Sequence, residues 1–229
     1  MKRRLTYSTT VAFLILFSCK LSVFAQDNTF KPELSLGANA GLTLSTVGFS
    51  PKVYQESLRQ FSAGITARYI SEKNFGLQGE LNISQRGWKE KKDSIPEHKF
   101  TKSLLYLELP VMTHIYFNLG SKARLVFNMG PQIGYQIKEE VLDHNIVFDP
   151  GFDPEGSIPS QYTNSTENKF DWGIVGGGGI EVRTGIGSFI IEGRYYYGLS
   201  DIYKNKKSDY YATSPNQVVN LKLTYLFRK

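Results

Sequence analysis

The chain has 229 residues, 41% hydrophobic and 21% charged, with a formal net charge of +6. Lys2, Arg3, Arg4 and Lys20 supply four of those charges from the first 25 residues, so the remainder carries only +2 and its charge does not point to nucleic acid. The one cysteine, Cys19, excludes a disulfide framework, and after residue 25 no stretch approaches the ~20 consecutive apolar residues of a transmembrane helix.

The chain begins with a targeting segment. Met1 to Arg4 form a basic region, Val11 to Phe17 an apolar region too short to span a bilayer, and Val23-Phe24-Ala25 a small-residue cleavage site before Gln26. Residues 1–25 therefore read as a secretory signal peptide and 26–229 as one exported domain. A rival reading takes Leu16 to Cys19 as a lipobox that would leave Cys19 lipidated, but Phe17 fits that pattern poorly.

Eight strand-like runs of roughly ten to fifteen residues follow, and their connections alternate long and short. The short ones are Ser71 to Asn74, Leu119 to Lys122 and Thr184 to Gly187; the long ones are about Ser45 to Gln60, Trp88 to Lys102, Lys138 to Lys169 and Ser200 to Pro215. Short turns on one side and long loops on the other are the layout of an up-and-down barrel in a bacterial outer membrane.

Strand parity separates two faces, because successive side chains point to opposite sides. In the first run Leu34, Leu36, Ala38, Ala40 and Leu42 oppose Ser35, Gly37, Asn39, Gly41 and Thr43. The third sets Phe75, Leu77, Leu81 and Ile83 against Gln78, Glu80, Asn82 and Arg86, and the last sets Val219, Leu221, Leu223, Tyr225 and Phe227 against Asn220, Lys222 and Thr224. A soluble lipocalin-like barrel alternates too, with its apolar face inward around a ligand. Its exterior would be dense in Lys and Glu, whereas the polar face here is mostly Gly, Ser, Thr, Asn and Gln, which suits the inside of a narrow tube. The expected fold is an all-β, eight-stranded antiparallel up-and-down transmembrane β-barrel.

The charges assigned to that interior nearly balance. Glu80, Glu108, Asp171, Glu181 and Glu192 face Arg68, Arg86, Arg124, Arg183, Arg194 and Lys222. Buried charges persist only when paired, so we expect a lumen plugged by ion pairs rather than an ion path. Aromatic girdles are expected at Tyr69, Phe75, Phe117, Phe189, Tyr225 and Phe227 near the short turns, and at Tyr135, Phe170, Trp172, Tyr195 and Tyr197 near the long loops. Pro110 and Pro131 fall inside strands of a barrel without edges, which predicts a β-bulge at each.

At these residues a family resemblance emerges. The stretches 106–111 (YLELPV), 128–135 (NMGPQIGY), 171–181 (DWGIVGGGGIE) and 194–202 (RYYYGLSDI) resemble the outer-membrane β-barrel domain family often labelled porin-family or PorT-like. The resemblance covers most of the exported chain in the expected order. It implies a Gram-negative outer-membrane address and export after an Ala-Gln cleavage, as at Ala25-Gln26. Its motifs are structural rather than catalytic. Known members include a protein needed for a secretion system, but the resemblance assigns no activity. The family usually ends on an aromatic residue; here Phe227 is followed by Arg228 and Lys229.

Motifs for chemistry are weak. Gly176 to Gly179 lack the Gly-Lys-Ser/Thr and the helix of a phosphate loop. His98, His114 and His144 lack ligand spacing, and neither a metal nor another cofactor is expected. An outer-membrane lipid-modifying enzyme is the alternative, with His114, Ser84 and Glu80 as its best constellation; a narrow porin-like channel is another.

Specificity is expected in the long loops. Lys89, Lys91 and Lys92, with Lys99 and Lys102, and then Lys204, Lys206 and Lys207, form an outer-loop basic patch able to meet lipopolysaccharide phosphates. Asp149, Asp153 and Glu155 in the third loop do not match an EF-hand, and Phe148 and Phe152 could pack over the mouth. We expect a monomer with a structural or interaction role, partnered by membrane lipid, lipopolysaccharide, or an envelope or secretion protein.

Overall fold

The computed structural model describes residues 30–92, 95–147, 160–163, 165–205 and 211–227. The segment read as a signal peptide, the acidic stretch of the third loop with Phe148 and Phe152, and Lys206 and Lys207 lie outside them. The chain divides into Met1–Phe30 and Lys31–Lys229, and the second unit is the one described below.

Its elements are β1 (Glu33–Val47), β2 (Gln55–Glu56), β3 (Leu58–Glu72), β4 (Phe75–Glu90), β5 (Lys99–Leu119), β6 (Ala123–Asn145), the single-turn helix α1 (Ser160–Thr163), β7 (Phe170–Arg183), β8 (Gly187–Asp201) and β9 (Pro215–Phe227). Each long strand pairs antiparallel with its chain neighbour, and β1–β9 pairing closes the ring of eight. The two-residue β2 adds to the outer end of β4. Two tight turns place a residue in the left-handed region, Asn74 at φ 71° and Gly120 at φ 77°, where a short amide side chain or no side chain is best tolerated.

The faces fall as parity predicts. Leu34, Leu36, Leu77, Leu81, Ile83, Leu221 and Leu223 are exposed on the outer face, while Asn39, Thr43, Gln78, Glu80, Asn82, Arg86 and Lys222 are buried. The two girdles stand on the outer face: Tyr69, Phe75, Phe117, Phe189 and Phe227 at one end, Tyr135, Phe170, Trp172, Tyr195 and Tyr197 at the other. Tyr225 is half-buried against Phe189, ring centroids 4.8 Å apart.

Three expectations are corrected. No register shift occurs at Pro110 or Pro131. Pairing simply lapses in one ladder each: β4–β5 beside Pro110 and β5–β6 beside Pro131, with the register resuming unchanged. A missing N–H removes a ladder bond but does not by itself require an extra residue. The shifts lie higher in β5–β6, between Thr101 and Lys102 and between Leu105 and Tyr106.

Arg183, expected in the lumen, is exposed at a turn and donates to the Ser121 carbonyl at 3.3 Å. Its strand ends there with the pair Arg183↔Ser188. The second and third loops are also shorter than expected, since β4 runs on to Glu90, β5 starts at Lys99 and β6 reaches Asn145. The strands continue because inward side chains at Trp88, Phe100 and Leu104 find apolar partners above the girdle.

Candidate functional site

The lumen is filled in three tiers. At the short-turn end, Ile70, Tyr116, Val126, Ile190 and Leu226 form a buried cluster. The Arg124 guanidinium lies 4.1 Å from the Tyr116 ring centroid and donates to Asn118 Oδ1 at 3.2 Å. Just inside, Arg68 pairs with Glu181 at 2.9 Å and donates to Gln78 Oε1 at 2.9 Å. His114 Nδ1 meets Asn128 Oδ1 at 2.8 Å, and Asn128 donates onward to Glu192 at 2.8 Å.

Glu80 is the hub of the middle tier. It accepts from Arg194 at 2.8 and 3.0 Å, Lys222 at 2.7 Å, Gln78 at 2.8 Å and Asn82 at 3.1 Å. Arg194 also bonds Glu192 at 2.7 Å. Such charge-assisted bonds are the form in which an ionised group is tolerated away from water. Above them Arg86 is clamped between Asp171 at 2.7 Å and Glu108 at 3.1 Å, its guanidinium 3.8 Å from the Tyr106 ring centroid. Asp171 accepts further from Tyr196, Ser200 and Asn216 at 2.9, 2.5 and 3.2 Å.

Of the eleven charged residues assigned to the lumen, all but Arg183 are buried inside it, and nine are in ion pairs; Arg124 instead stacks on Tyr116. The cavity among Asn82, Ser84, Glu108, Arg194, Tyr196 and Lys222 measures about 20 Å³, room for about one water molecule.

The third tier is an aromatic cap. Val47, Phe49, Trp88, Phe100, Leu104, Tyr106, Ile202, Tyr203 and Tyr211 pack together, drawn from strand ends and from the first and fourth loops. Phe49 meets Trp88 edge-on at 5.3 Å and Tyr211 at 4.5 Å. The bridge Ser50↔Thr213 ties the two loops. Lys102, expected in the outer-loop basic patch, is instead buried here, bonded to Glu139 at 2.8 Å and Tyr203 at 3.2 Å.

Polar groups fasten the other loops to this cap. Glu90 accepts from Tyr162 of α1 at 2.5 Å and lies 3.1 Å from His98 Nε2. Gln161 of α1 donates to Glu90 at 3.4 Å and accepts from the Tyr211 hydroxyl. Glu139 accepts from the Thr166 amide at 2.8 Å and hydroxyl at 2.7 Å. Burial opposes ionisation of Glu139, but the bonds from Lys102 and Thr166 outweigh it and hold the carboxyl below its ordinary range. Burial, then the neighbouring Glu139 and Glu90 carboxylates, push the Tyr203 phenol upward.

Sequence reasoning missed this cap. Its signal was the inward parity of β4 continuing past Arg86 to Trp88, a large aromatic where the tube should leave the membrane. Nor does the enzyme constellation assemble. His114 pairs with Gly76, eight positions along β4 from Ser84, a rise of roughly 27 Å, and the Glu80 carboxylate is occupied by Arg194 and Lys222.

Among the described residues of the expected basic patch, three are in ion pairs at the surface. Lys89 and Lys91 pair with Glu56 at 3.7 and 2.8 Å, whose carboxyl is lowered by the Lys91 hydrogen bond first. Lys204 pairs with Glu167 at 3.4 Å. Lys92 is described in the second loop.

The family described as outer membrane protein β-barrel domain matches residues 24–204. That description does not extend to the PorT-like label. Among curated proteins none matches. Solved structures similar to the chain include Ail of Yersinia pestis in complex with the heparin analogue sucrose octasulfate, at 15% identity and TM-score 0.42, covering 85% of this chain and 99% of that one. Neisserial surface protein A is similar at 13% identity and TM-score 0.43, with 86% and 99% covered. OprG of Pseudomonas aeruginosa is similar at 12% and 0.45, with 86% and 95% covered.

Proposed function

The chain belongs to the outer membrane protein β-barrel domain family, and from that premise we propose that it is a closed barrel working through its outer loops. Its role is structural or binding rather than transport, and its partner is lipopolysaccharide, another envelope protein or a secretion assembly. It is exported by cleavage after Ala25 and acts as a monomer.

One observation carries this reading: the lumen is crossed by the Glu80–Arg194–Lys222 network and closed above by the Phe49–Trp88–Tyr211 cap. A path for solute would require both to open. A cap that joins the first and fourth loops holds their described residues in place, which favours recognition, since little ordering entropy remains to be lost there on binding.

The test is reconstitution of the refolded protein in planar bilayers with conductance recording, alongside a gel comparing heated and unheated samples. Heat-dependent migration with no steady conductance supports the reading. Steady conductance rejects it in favour of a channel lined by Glu80, Glu108, Arg124 and Arg194.

A further inference from the structure

The short-turn end of the barrel holds a cavity of about 730 Å³, within the range of small-molecule sites. Among its lining residues are Lys122 just before β6, Arg183 at the end of β7, Ser188 on β8, Leu226 on β9, and Glu33 with Ser35 on β1. The ladders give these residues a common inward parity. The Arg183 amide donates to the Lys122 carbonyl at 2.8 Å, and the register runs on through Arg183↔Ser188 and Ser188↔Leu226. Lys122, Arg183 and Ser188 each stand two residues from a buried lumen side chain, respectively Arg124, Glu181 and Ile190. Glu33 pairs with Ile70, which with Tyr116, Val126, Ile190 and Leu226 closes the lumen above. The cavity is therefore a cup with an apolar floor, on the side of the barrel away from the long loops.

Charge in the cup is divided between its walls. Lys122 and Arg183 are neighbours across one ladder position, where like charges are destabilising unless something offsets them. Inside the lumen Arg68, Arg86, Arg194 and Lys222 each bond a carboxylate, whereas Lys122 and Arg183 form no ion pair among the described residues. The Arg183 side chain donates to the Ser121 carbonyl at 3.3 Å, which orients the guanidinium without neutralising it. Glu33 stands on β1, four strands round the ring of eight from β6 and so on the opposite wall. Ser35 Oγ donates to it at 3.4 Å. Two cations thus face one carboxylate across a concave site with a low-dielectric floor, which focuses their fields on what enters it.

We propose that this cup binds the end of a short zwitterionic peptide, its carboxylate held by Arg183 and Lys122 and its ammonium by Glu33. The inference rests on the outer-membrane barrel of the preceding section, whose short turns face the periplasm, and adds a site on the side opposite the loops. A guanidinium takes a carboxylate through two parallel N–H···O bonds, and the lysine adds a point charge. The Ser188 and Ser35 hydroxyls lie on the strands between and beside these groups. A small inorganic anion would meet the cations but leave Glu33 and most of the cavity without a contact. Such a peptide has two sources in the periplasm, a cell-wall stem, whose diamino acid carries both charges on one residue, and free peptide.

The experiment uses the full exported chain, refolded into lipid nanodiscs and titrated while its backbone amides are followed by NMR. Heat-dependent gel migration is checked first, so failure of insertion, which would count against the barrel itself, is separated from failure of the site. The probes are a soluble stem tetrapeptide containing diaminopimelate, the same peptide with its carboxyls amidated, the same peptide with its amines acetylated, and inorganic phosphate. Saturable shifts of the Arg183 and Ser188 amides are expected with the free tetrapeptide. The K122Q/R183Q variant is expected to bind it on the order of tenfold more weakly, at about threefold per exposed cation, while the charge-matched K52Q/K99Q variant at the long-loop end binds as the parent does. E33Q is expected to weaken the free tetrapeptide and leave the acetylated one unchanged. No saturable shift, equal loss in both double variants, or amidated peptide or phosphate bound as tightly as the free peptide overturns the proposal. Sedimentation with insoluble cell-wall sacculi then separates the sources: co-sedimentation that is lost in K122Q/R183Q supports the site as a wall contact, and titratable binding without co-sedimentation supports it as a site for free peptide.

Discussion

Replacing Glu80 with glutamine removes one negative charge from the point where Arg194 and Lys222 converge. The carboxylate accepts bonds of 2.7–3.1 Å from four side chains, and both charged partners, Arg194 and Lys222, are almost fully buried. The amide retains one acceptor oxygen but brings an N–H₂ group against the arginine, lysine and Gln78 donors. Breaking a buried ion pair from one side costs about 3–5 kcal/mol, because the surviving charge keeps its desolvation penalty and loses its partner. Among the described lumen residues Glu80, Glu108, Asp171, Glu181 and Glu192 balance Arg68, Arg86, Arg124, Arg194 and Lys222, so E80Q also leaves a net positive interior. For a urea slope of about 2 kcal/mol/M the midpoint should fall by on the order of 2 M. The assay is urea titration of the refolded protein in detergent micelles, scored by the folded band on unheated gels. A second variant, E80Q/K222M, removes the stranded ammonium and should recover most of the loss. A midpoint for E80Q within about 0.3 M of the parent would refute the reasoning, because surface charges behave that way and a buried hub does not.

Other substitutions probe the remaining tiers. Trp88→Ala deletes the largest ring of the cap and should cost about 3–5 kcal/mol of local packing, read as faster protease cleavage in the outer loops while the ladders below stay protected from hydrogen exchange. Gly179→Val should abolish the folded band, since a side chain there meets the Ile191 carbonyl and Glu192 backbone, whereas Gly193→Ala, with nothing within 4 Å, should fold at parental yield. Glu139 has a folded-state pKa below its ordinary value of 4.5, so its contribution is present above that value and lost as pH falls through the folded value. Exchange at the Thr166 amide, bonded to Glu139 at 2.8 Å, should accelerate only below pH 4.5, and Glu139→Gln should erase that dependence; acceleration unchanged in the variant would assign it elsewhere.

The barrel was legible in the sequence because period-two alternation is a strictly local signal that the membrane enforces on every strand. Leu34 and Asn39, or Leu81 and Glu80, declare their sides without knowledge of any partner, and a one-residue error would put charge into lipid. The ion pairs were legible only as a balance of charges. That Arg68 takes Glu181 while Glu80 takes Arg194 and Lys222 depends on how far the rows climb around the barrel.

The cap was not legible, and two local events explain why. Between Leu105 and Tyr106 the register slips by one residue, so the inward position after Gln136 becomes Glu139 rather than Lys138 or Glu140. Lys102, which reads as one more loop lysine, then finds the half-buried Glu139 carboxylate within 2.8 Å. The second event is the return of the first and fourth loops, joined by Ser50↔Thr213, which covers Trp88 with Phe49, Tyr203 and Tyr211. Neither is encoded in a period. Both follow from long-range pairing, and both act where the membrane stops dictating the pattern.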